Sequence, residues 1–118
     1  MVEVALRICC MMVAAGLATA SPAAADRFFG YNNTTSTDFT AAFLAPAGST
    51  EWGPDQTAND KDHAWDAGER LPFTGITRGR FDVKVVDRRG HVCVKRGVDL
   101  TSDTTFDIRD EDLAVCGH

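Results

Sequence analysis

Two cysteine–histidine pairs in the C-terminal third are the residues best suited to chemistry. His91 and Cys93 are separated by one residue, and Cys116 and His118 repeat that spacing in reverse order. Residues i and i+2 of a strand lie on the same face of a sheet, so each imidazole would lie beside its sulfur atom. With reduced thiols, these four side chains could bind Zn²⁺ in a tetrahedral site or copper in a soft-ligand site. The alternative, which we favour, is a disulfide between Cys93 and Cys116 flanked by two surface histidines.

A second group of polar side chains lies in the middle of the chain. Residues 59–63 (NDKDH) offer oxygen ligands at alternate positions, with Asp66 and Glu69 close behind, and such a pattern can hold Ca²⁺. An EF-hand loop would need a third ligand at Ala64 and a glycine after it, and Trp65 stands in that place. We therefore predict a solvated acidic loop at these positions and no cofactor.

The sequence contains no frame for nucleophilic catalysis. A serine or cysteine hydrolase needs its nucleophile beside a histidine that a carboxylate orients. The histidines are His63, His91 and His118, and no Gly-x-Ser-x-Gly segment accompanies them. We predict that the protein is not an enzyme.

An N-terminal export signal precedes the elements that position these side chains. Residues 8–18 (ICCMMVAAGLA) form an uncharged run of about eleven residues, well short of the roughly 20 that span a bilayer as a helix. Two Ala-x-Ala sites follow, and cleavage after Ala25 would leave residues 26–118 as one domain without an integral membrane segment. A buried N-terminal helix is the alternative. We predict that residues 1–25 are a secretory signal peptide and that the mature protein is periplasmic or secreted.

The cysteines divide between the signal peptide and the domain. Cys9 and Cys10 lie inside the signal and would be removed with it, whereas Cys93 and Cys116 remain. An exported protein meets an oxidising compartment, where one disulfide between the two remaining cysteines is the expected outcome. Closing this loop would add about 3 kcal/mol to the stability of a small domain.

Charge is distributed in three blocks. Residues 26–69 carry a net charge of −6, residues 70–96 carry +6 and residues 97–118 carry −5, which together give the formal net charge of −5. The acidic balance argues against nucleic acid as a partner, because nucleic acids favour clustered Lys and Arg. We predict that the basic middle block pairs with both acidic flanks across a sheet. The alternative is a basic face that binds an anionic ligand.

Alternating apolar and polar residues predict strands after the signal peptide. Residues 81–86 (FDVKVV) alternate, and residues 87–90 (DRRG) form a turn in which Gly90 supplies the positive φ that closes a hairpin with residues 91–96. Further predicted elements are strands at 27–32, 39–45, 70–73 and 104–108, a long loop at 46–62 and a helical turn at 110–113. Together they predict an all-β fold, a small antiparallel β-sandwich that is Ig-like in general architecture and monomeric.

Trp52 and Trp65 bracket the long loop. They are either stacking platforms for a sugar or a peptide, or apolar side chains that cover the small core. We favour the second interpretation.

Several short segments of the mature domain form a pattern of their own. They are 29–34 (FGYNNT), 44–46 (LAP), 51–55 (EWGPD), Gly68 before 71–73 (LPF), and 81–85 (FDVKV) running to Asp87 and Gly90. In these segments the chain resembles small exported bacterial proteins of unknown function, signal-peptide-containing proteins that are sometimes misnamed argininosuccinate lyase. The resemblance implies a β-rich exported domain with no assigned activity. Cys93 departs from the pattern, because the first mature cysteine is expected before the strand that precedes the turn.

These features predict an exported, non-enzymatic β-domain protein with a binding or envelope-accessory role. Its partner would be another protein or a small ligand. The alternative is a periplasmic protein that binds zinc or copper through His91, Cys93, Cys116 and His118.

Overall fold

Six strands form two three-stranded sheets in a computed structural model that describes residues 26–116. The predicted signal peptide, with Cys9, Cys10 and the cleavage site, lies outside the described residues, as does His118. The elements are β1 (Phe28–Asn33), β2 (Phe39–Pro46), a 3₁₀ helix (Gln56–Asn59), β3 (Arg70–Phe73), β4 (Arg80–Asp87), β5 (Val92–Asp99), β6 (Thr105–Arg109) and α1 (Asp110–Val115). The prediction of an all-β sandwich is confirmed.

The two sheets have the strand orders β3-β1-β6 and β2-β4-β5. Three of the four strand pairs are antiparallel, as predicted, whereas β1 and β6 run parallel. The parallel pair joins the first and last strands of the described chain, and alternation along a strand contains no information on which strand becomes its neighbour.

The core between the sheets is built around Trp65, which is fully buried. Its ring contacts those of Phe39, Phe73 and Phe106 at centroid distances of 5.6, 5.5 and 6.3 Å. Its indole nitrogen donates to the carbonyl oxygen of Glu69 at 3.0 Å. Trp65 is therefore the centre of the core and not a surface platform.

Gly30 on β1 lets these rings approach the backbone. A Cβ atom at this position would lie 2.8 Å from Phe106, 2.8 Å from Phe73 and 2.9 Å from Trp65. Contacts this short force neighbouring side chains out of place, so the aromatic core requires glycine here.

The β4–β5 hairpin forms as predicted. Gly90 has a φ of +83° and the amide of Asp87 donates to the carbonyl oxygen of His91 at 3.0 Å. The return strand is longer than predicted, because a bulge at Gly97, with a φ of +69°, lets it continue to Asp99. A bulge of this kind inserts an extra residue without ending the strand.

Asp82 lies opposite this bulge and is buried. Its carboxylate accepts hydrogen bonds from the amides of Gly48 at 3.0 Å and Gly97 at 2.9 Å, and from the Arg96 guanidinium at 3.1 Å. These two amides, and more weakly Arg96, hold the pKa of Asp82 below its usual value, although burial alone would raise it. A single carboxylate thus ties the turn after β2 to the bulge in β5.

Asn32 is a second buried polar side chain. Its amide nitrogen donates to the carbonyl oxygens of Thr37 at 2.8 Å and Trp65 at 2.9 Å, and its oxygen accepts from the amide and hydroxyl of Thr34. The side chain therefore fixes the bend after β1 against the loop that delivers Trp65 to the core.

Ion pairs connect the basic middle block to both acidic flanks, as predicted. They include Arg78–Asp26 at 3.0 Å, Arg88–Asp38 at 3.3 Å, Arg80–Asp99 at 3.4 Å and Lys95–Asp112 at 3.1 Å. Most of these side chains are partly exposed, so each pair contributes little by itself. Between residues 26 and 116, no helix is long and apolar enough to cross a membrane.

Candidate functional site

A disulfide joins Cys93 on β5 to Cys116 at the end of α1, with a Cα–Cα distance of 5.2 Å. The sequence predicts this pair. The bridge closes a segment with a sequence separation of 23 residues and holds α1 against β5. Lys95 adds a second link between these elements, because its ammonium donates to a carboxylate oxygen of Asp112 at 3.1 Å.

The four residues of the predicted metal site are only partly brought together. His91, Cys93 and Cys116 line one cavity, while His118 lies outside the described residues. With the two sulfurs joined, no thiolate is available as a ligand. Nδ1 of His91 lies 3.3 Å from a carboxylate oxygen of Asp87, and no group of three or more His, Cys, Asp or Glu within residues 26–116 is placed to hold a metal ion.

The acidic loop at residues 59–63 uses its polar side chains to build its own turns. The amide nitrogen of Asn59 donates hydrogen bonds to the side-chain oxygen of Gln56 and to the carbonyl oxygen of Pro72, both at 2.8 Å. Asp60 accepts from the amide of Asp62 at 2.9 Å, and His63 has a φ of 56°. The prediction of one long loop at 46–62 is wrong in part, because a 3₁₀ helix lies within it.

The segment between β2 and β3, which includes this acidic loop, covers one edge of the β2-β4-β5 sheet. Asp55 accepts a hydrogen bond from the outward amide of Ala42 at 3.0 Å, and the amide of Gly53 donates to the carbonyl oxygen of Leu44 at 2.9 Å. Farther along β2, Phe39 and Trp65 exchange two backbone hydrogen bonds. The segment between β2 and β3 thus hydrogen-bonds to an outward backbone group of Phe39, Ala42 and Leu44 along this edge.

The opposite edge of the sheet is β5, with which no other strand of the described chain pairs. The backbone hydrogen bond between Asp87 and His91 fixes which residues of β5 direct their amide and carbonyl groups to β4. Cys93 is one of them, because it follows His91 by two residues. The amide and carbonyl groups of Val92 and Val94 therefore point away from the sheet. Edge strands with such groups are the usual sites of strand addition.

A groove of about 680 Å³ runs along this edge, between β5 and α1. We call it the β5 groove; it is lined by Val92, Val94, Lys95, Arg96, Asp112, Val115 and Cys116. Val92 is 48 % exposed and Val115 is 82 % exposed, which places two of the most exposed large apolar side chains of the described chain in this one groove.

A cavity of about 670 Å³, which we call the hairpin pocket, lies on the other side of the disulfide. Its walls include Phe39, Val85 and Leu113, with His91 and Asp87 as polar lining. Burial pulls the pKa of Asp87 upward, but hydrogen bonds from the amides of His91 and Arg89, together with the His91 side chain, hold the pKa below its usual value. This carboxylate is engaged in holding the hairpin turn.

Trp52 lies on the outer face of the β2-β4-β5 sheet and is half-buried. The Lys84 ammonium lies 4.8 Å from the ring centroids of both Trp52 and Phe43, in a cation–π arrangement. The two tryptophans therefore differ in role. Neither the spacing of the tryptophans nor their neighbours in the sequence indicate which of them enters the core.

Sequence reasoning did not identify the β5 groove. The one available signal is the alternation of Val92 and Val94 with Cys93, which places both valines on the face opposite the disulfide. No protein-family model matches the chain, and comparison with curated proteins and with solved structures gives no significant match. The resemblance to small exported bacterial proteins therefore stays a prediction.

Proposed function

We propose that the chain is an exported, non-enzymatic binding protein whose binding surface is the face beside the Cys93–Cys116 disulfide. The signal-like residues 1–25 and the retention of only two cysteines in the mature chain support export to the periplasm or beyond the cell. The disulfide is compatible with that destination.

The observation that carries the binding role is the exposure of Val92 and Val115 in the β5 groove. Leaving apolar side chains in water forgoes the stabilisation that burial gives, roughly 25 cal/mol per Å². Two such side chains beside an open strand edge therefore favour a surface that a partner covers. The disulfide keeps α1, and with it Val115, at a fixed distance from β5.

Export is tested by expressing the full chain in a bacterial host and analysing the fractions by intact mass and thiol alkylation. We expect a periplasmic or secreted product that begins at Asp26 and has no free thiol under denaturing conditions. The matched control carries Ala25→Asp, which breaks the predicted cleavage site and should leave the signal attached. A full-length cytoplasmic product from the unmodified chain would contradict the proposal.

The non-enzymatic part of the proposal is tested by a screen of ester, phosphate, glycoside and peptide substrates. We expect no turnover above that of a heat-denatured sample. Turnover that disappears on His91→Gln or Asp87→Asn would contradict the proposal, because these two residues line the hairpin pocket.

A metal-binding role is the second candidate, and it is favoured by the shared position of His91, Cys93 and Cys116 around the hairpin pocket. It applies to the reduced protein, in which His118 would be the fourth ligand. Zinc titration of reduced and oxidised samples tests this role. One equivalent of tightly bound Zn²⁺ in the reduced wild type, lost on His91→Gln, would support it, and equal weak binding to both forms would exclude it.

A further inference from the structure

We propose that β5 binds an extended segment of a partner protein as an additional strand. The partner segment would carry apolar residues at alternate positions and an acidic residue, which complement the β5 groove. This inference rests on the proposed binding function and names the class of partner for that surface. Strand addition goes beyond the proposed binding function, because a groove can also bind a ligand through side chains alone.

The backbone of β5 supplies the first part of the argument. Val92 and Val94 direct their amide and carbonyl groups to the open edge, and both residues line the groove. An extended segment laid along this edge would exchange hydrogen bonds with both residues. Strand addition of this kind draws affinity from the main chain and specificity from alternate side chains.

The side chains of the groove indicate what the added strand would carry. Val92 and Val94 lie on the outer face of β5, and Val115 of α1 lies on the other side of the same groove. Apolar residues at alternate positions of the partner would cover the valines of β5, and a residue of the opposite face would contact Val115. A partner segment with alternating apolar residues therefore fits both walls.

The charge at one end of the groove favours an acidic residue in the partner. Lys95 is engaged by the carbonyl oxygen of Asp107 at 2.8 Å and by Asp112 at 3.1 Å. Arg96 donates to Asp82 through Nη1, and 70 % of its side chain remains exposed. Its planar guanidinium has further donors that suit a carboxylate of the partner.

A second copy of this chain fits the groove less well. Two-fold pairing of β5 centred on Val94 would place the two Lys95 side chains diagonally across from one another, where like charges are unfavourable. It would also bring both α1 helices to the same face of the joined sheet. The groove therefore favours a different chain as its occupant.

Peptide display tests the proposal directly. A phage library of random twelve-residue peptides is selected on the exported, oxidised protein, and enriched peptides are synthesised for binding measurements on Val94→Pro, Val94→Thr and Val115→Asp. Proline removes an outward amide that no strand of the described chain uses, and edge positions of this kind tolerate it. Threonine keeps the amide and the β-branched shape, so it is the matched control.

We expect enriched peptides with alternating apolar residues and at least one Asp or Glu. Their Kd for Val94→Pro should be at least about tenfold higher than their Kd for Val94→Thr, because both variants alter the covered side chain and only proline removes the outward amide. Should Val94→Pro fail to fold, the same comparison is made on the ligand. N-methylation of alternate peptide amides on the side facing β5 should weaken binding at least about tenfold, and methylation of the other set should not.

The remaining outcomes separate the two proposals. Peptides that bind Val94→Pro and N-methylated forms normally but lose affinity for Val115→Asp would overturn strand addition and leave the binding function intact. Peptides indifferent to all three variants, or no enrichment at all, would overturn both. Concentration-dependent dimerisation that disappears on Val94→Pro would replace the partner segment with a second copy of the chain.

Discussion

The two edges of the β2-β4-β5 sheet are treated in opposite ways. At the β2 edge, the segment between β2 and β3 hydrogen-bonds to outward groups of Ala42, Leu44 and Phe39 through one side chain and two stretches of backbone. At the β5 edge, the outward groups of Val92 and Val94 border a groove instead. A strand edge with unpaired backbone groups can pair with another chain. Within the described residues, the β5 edge has such groups at Val92 and Val94, and the β2 edge is covered by its own chain.

The segments that flank the two edges are used differently by this small domain. The segment between β2 and β3 provides Asp55 and Gly53 for the edge and Trp65 for the core. The segment after β6 is instead anchored by a disulfide, and its helix stands beside β5 without covering the edge. Covering the β2 edge is thus part of folding, whereas the β5 edge stays open in the described chain.

The largest expected effect comes from the residue that links the two edges. Asp82→Ala removes the acceptor shared by Gly48 and Gly97 and leaves the bulge without its anchor. We expect the free energy of unfolding to fall by about 3 kcal/mol, since a buried carboxylate with several charge-assisted hydrogen bonds is lost. Urea denaturation measures this change, and a loss below about 1 kcal/mol would contradict the anchoring role.

The same carboxylate gives the stability a defined pH dependence. A carboxyl group whose pKa is lowered on folding stabilises the folded state at any pH above its ordinary pKa of 3.8. This stabilisation is lost as the pH falls from that pKa through the lower pKa of the folded state. The stability difference between wild type and Asp82→Asn should therefore shrink as the pH drops below about 4. Denaturation of both proteins between about pH 2.5 and 7, a series that spans the titration of Asp, checks this.

Removal of the disulfide should rank next. The double variant Cys93→Ser/Cys116→Ser releases α1 from β5, and we expect a loss of about 3 kcal/mol or somewhat less, together with loss of peptide binding at the groove. Thermal unfolding and peptide titration measure the two effects. Full peptide affinity in a folded double variant would show that the position of α1 is irrelevant to the groove.

Opening the covered edge should have a smaller effect. Asp55 accepts from the amides of Ala42 and Thr57 and from the Thr57 hydroxyl. We expect Asp55→Ala to cost about 2 kcal/mol and to accelerate amide exchange at Ala42. Asp55→Asn, which keeps an acceptor oxygen, is the control and should retain most of the stability. Unchanged exchange at Ala42 would show that the loop does not protect this edge.

The smallest effect on stability is expected at Val115, which is 82 % exposed. Val115→Asp should change the free energy of unfolding by no more than about 0.5 kcal/mol, as is usual for exposed positions. Its effect should appear in binding alone. A large loss of stability would mean that Val115 serves the fold and not the groove.

The predictable parts of this structure depend on local rules. Gly90 identifies the hairpin because a tight turn needs a positive φ there, and the pairing of Cys93 with Cys116 follows once residues 1–25 are set aside. The strand segments follow from alternation, within one or two residues at most ends apart from the extension of β5.

The parts that sequence reasoning missed depend on tertiary neighbours. Asp82 occupies a position where alternation predicts exposure, and it is buried because the bulge at Gly97 and the turn at Gly48 surround it. Trp52 and Trp65 border the same predicted loop, but Trp52 is half-buried and Trp65 is fully buried in the core. The β5 groove exists because α1 lies beside an edge strand, which no local pattern records.

Amide hydrogen exchange of the free protein tests the contrast between the two edges most directly. Measured by NMR on the oxidised protein, the Ala42 amide should exchange at least about a hundredfold more slowly than the Val94 amide, because only the first is hydrogen-bonded in the isolated domain. Comparable protection of Val94 and Ala42 would contradict the account, since it would mean that the β5 edge is already covered.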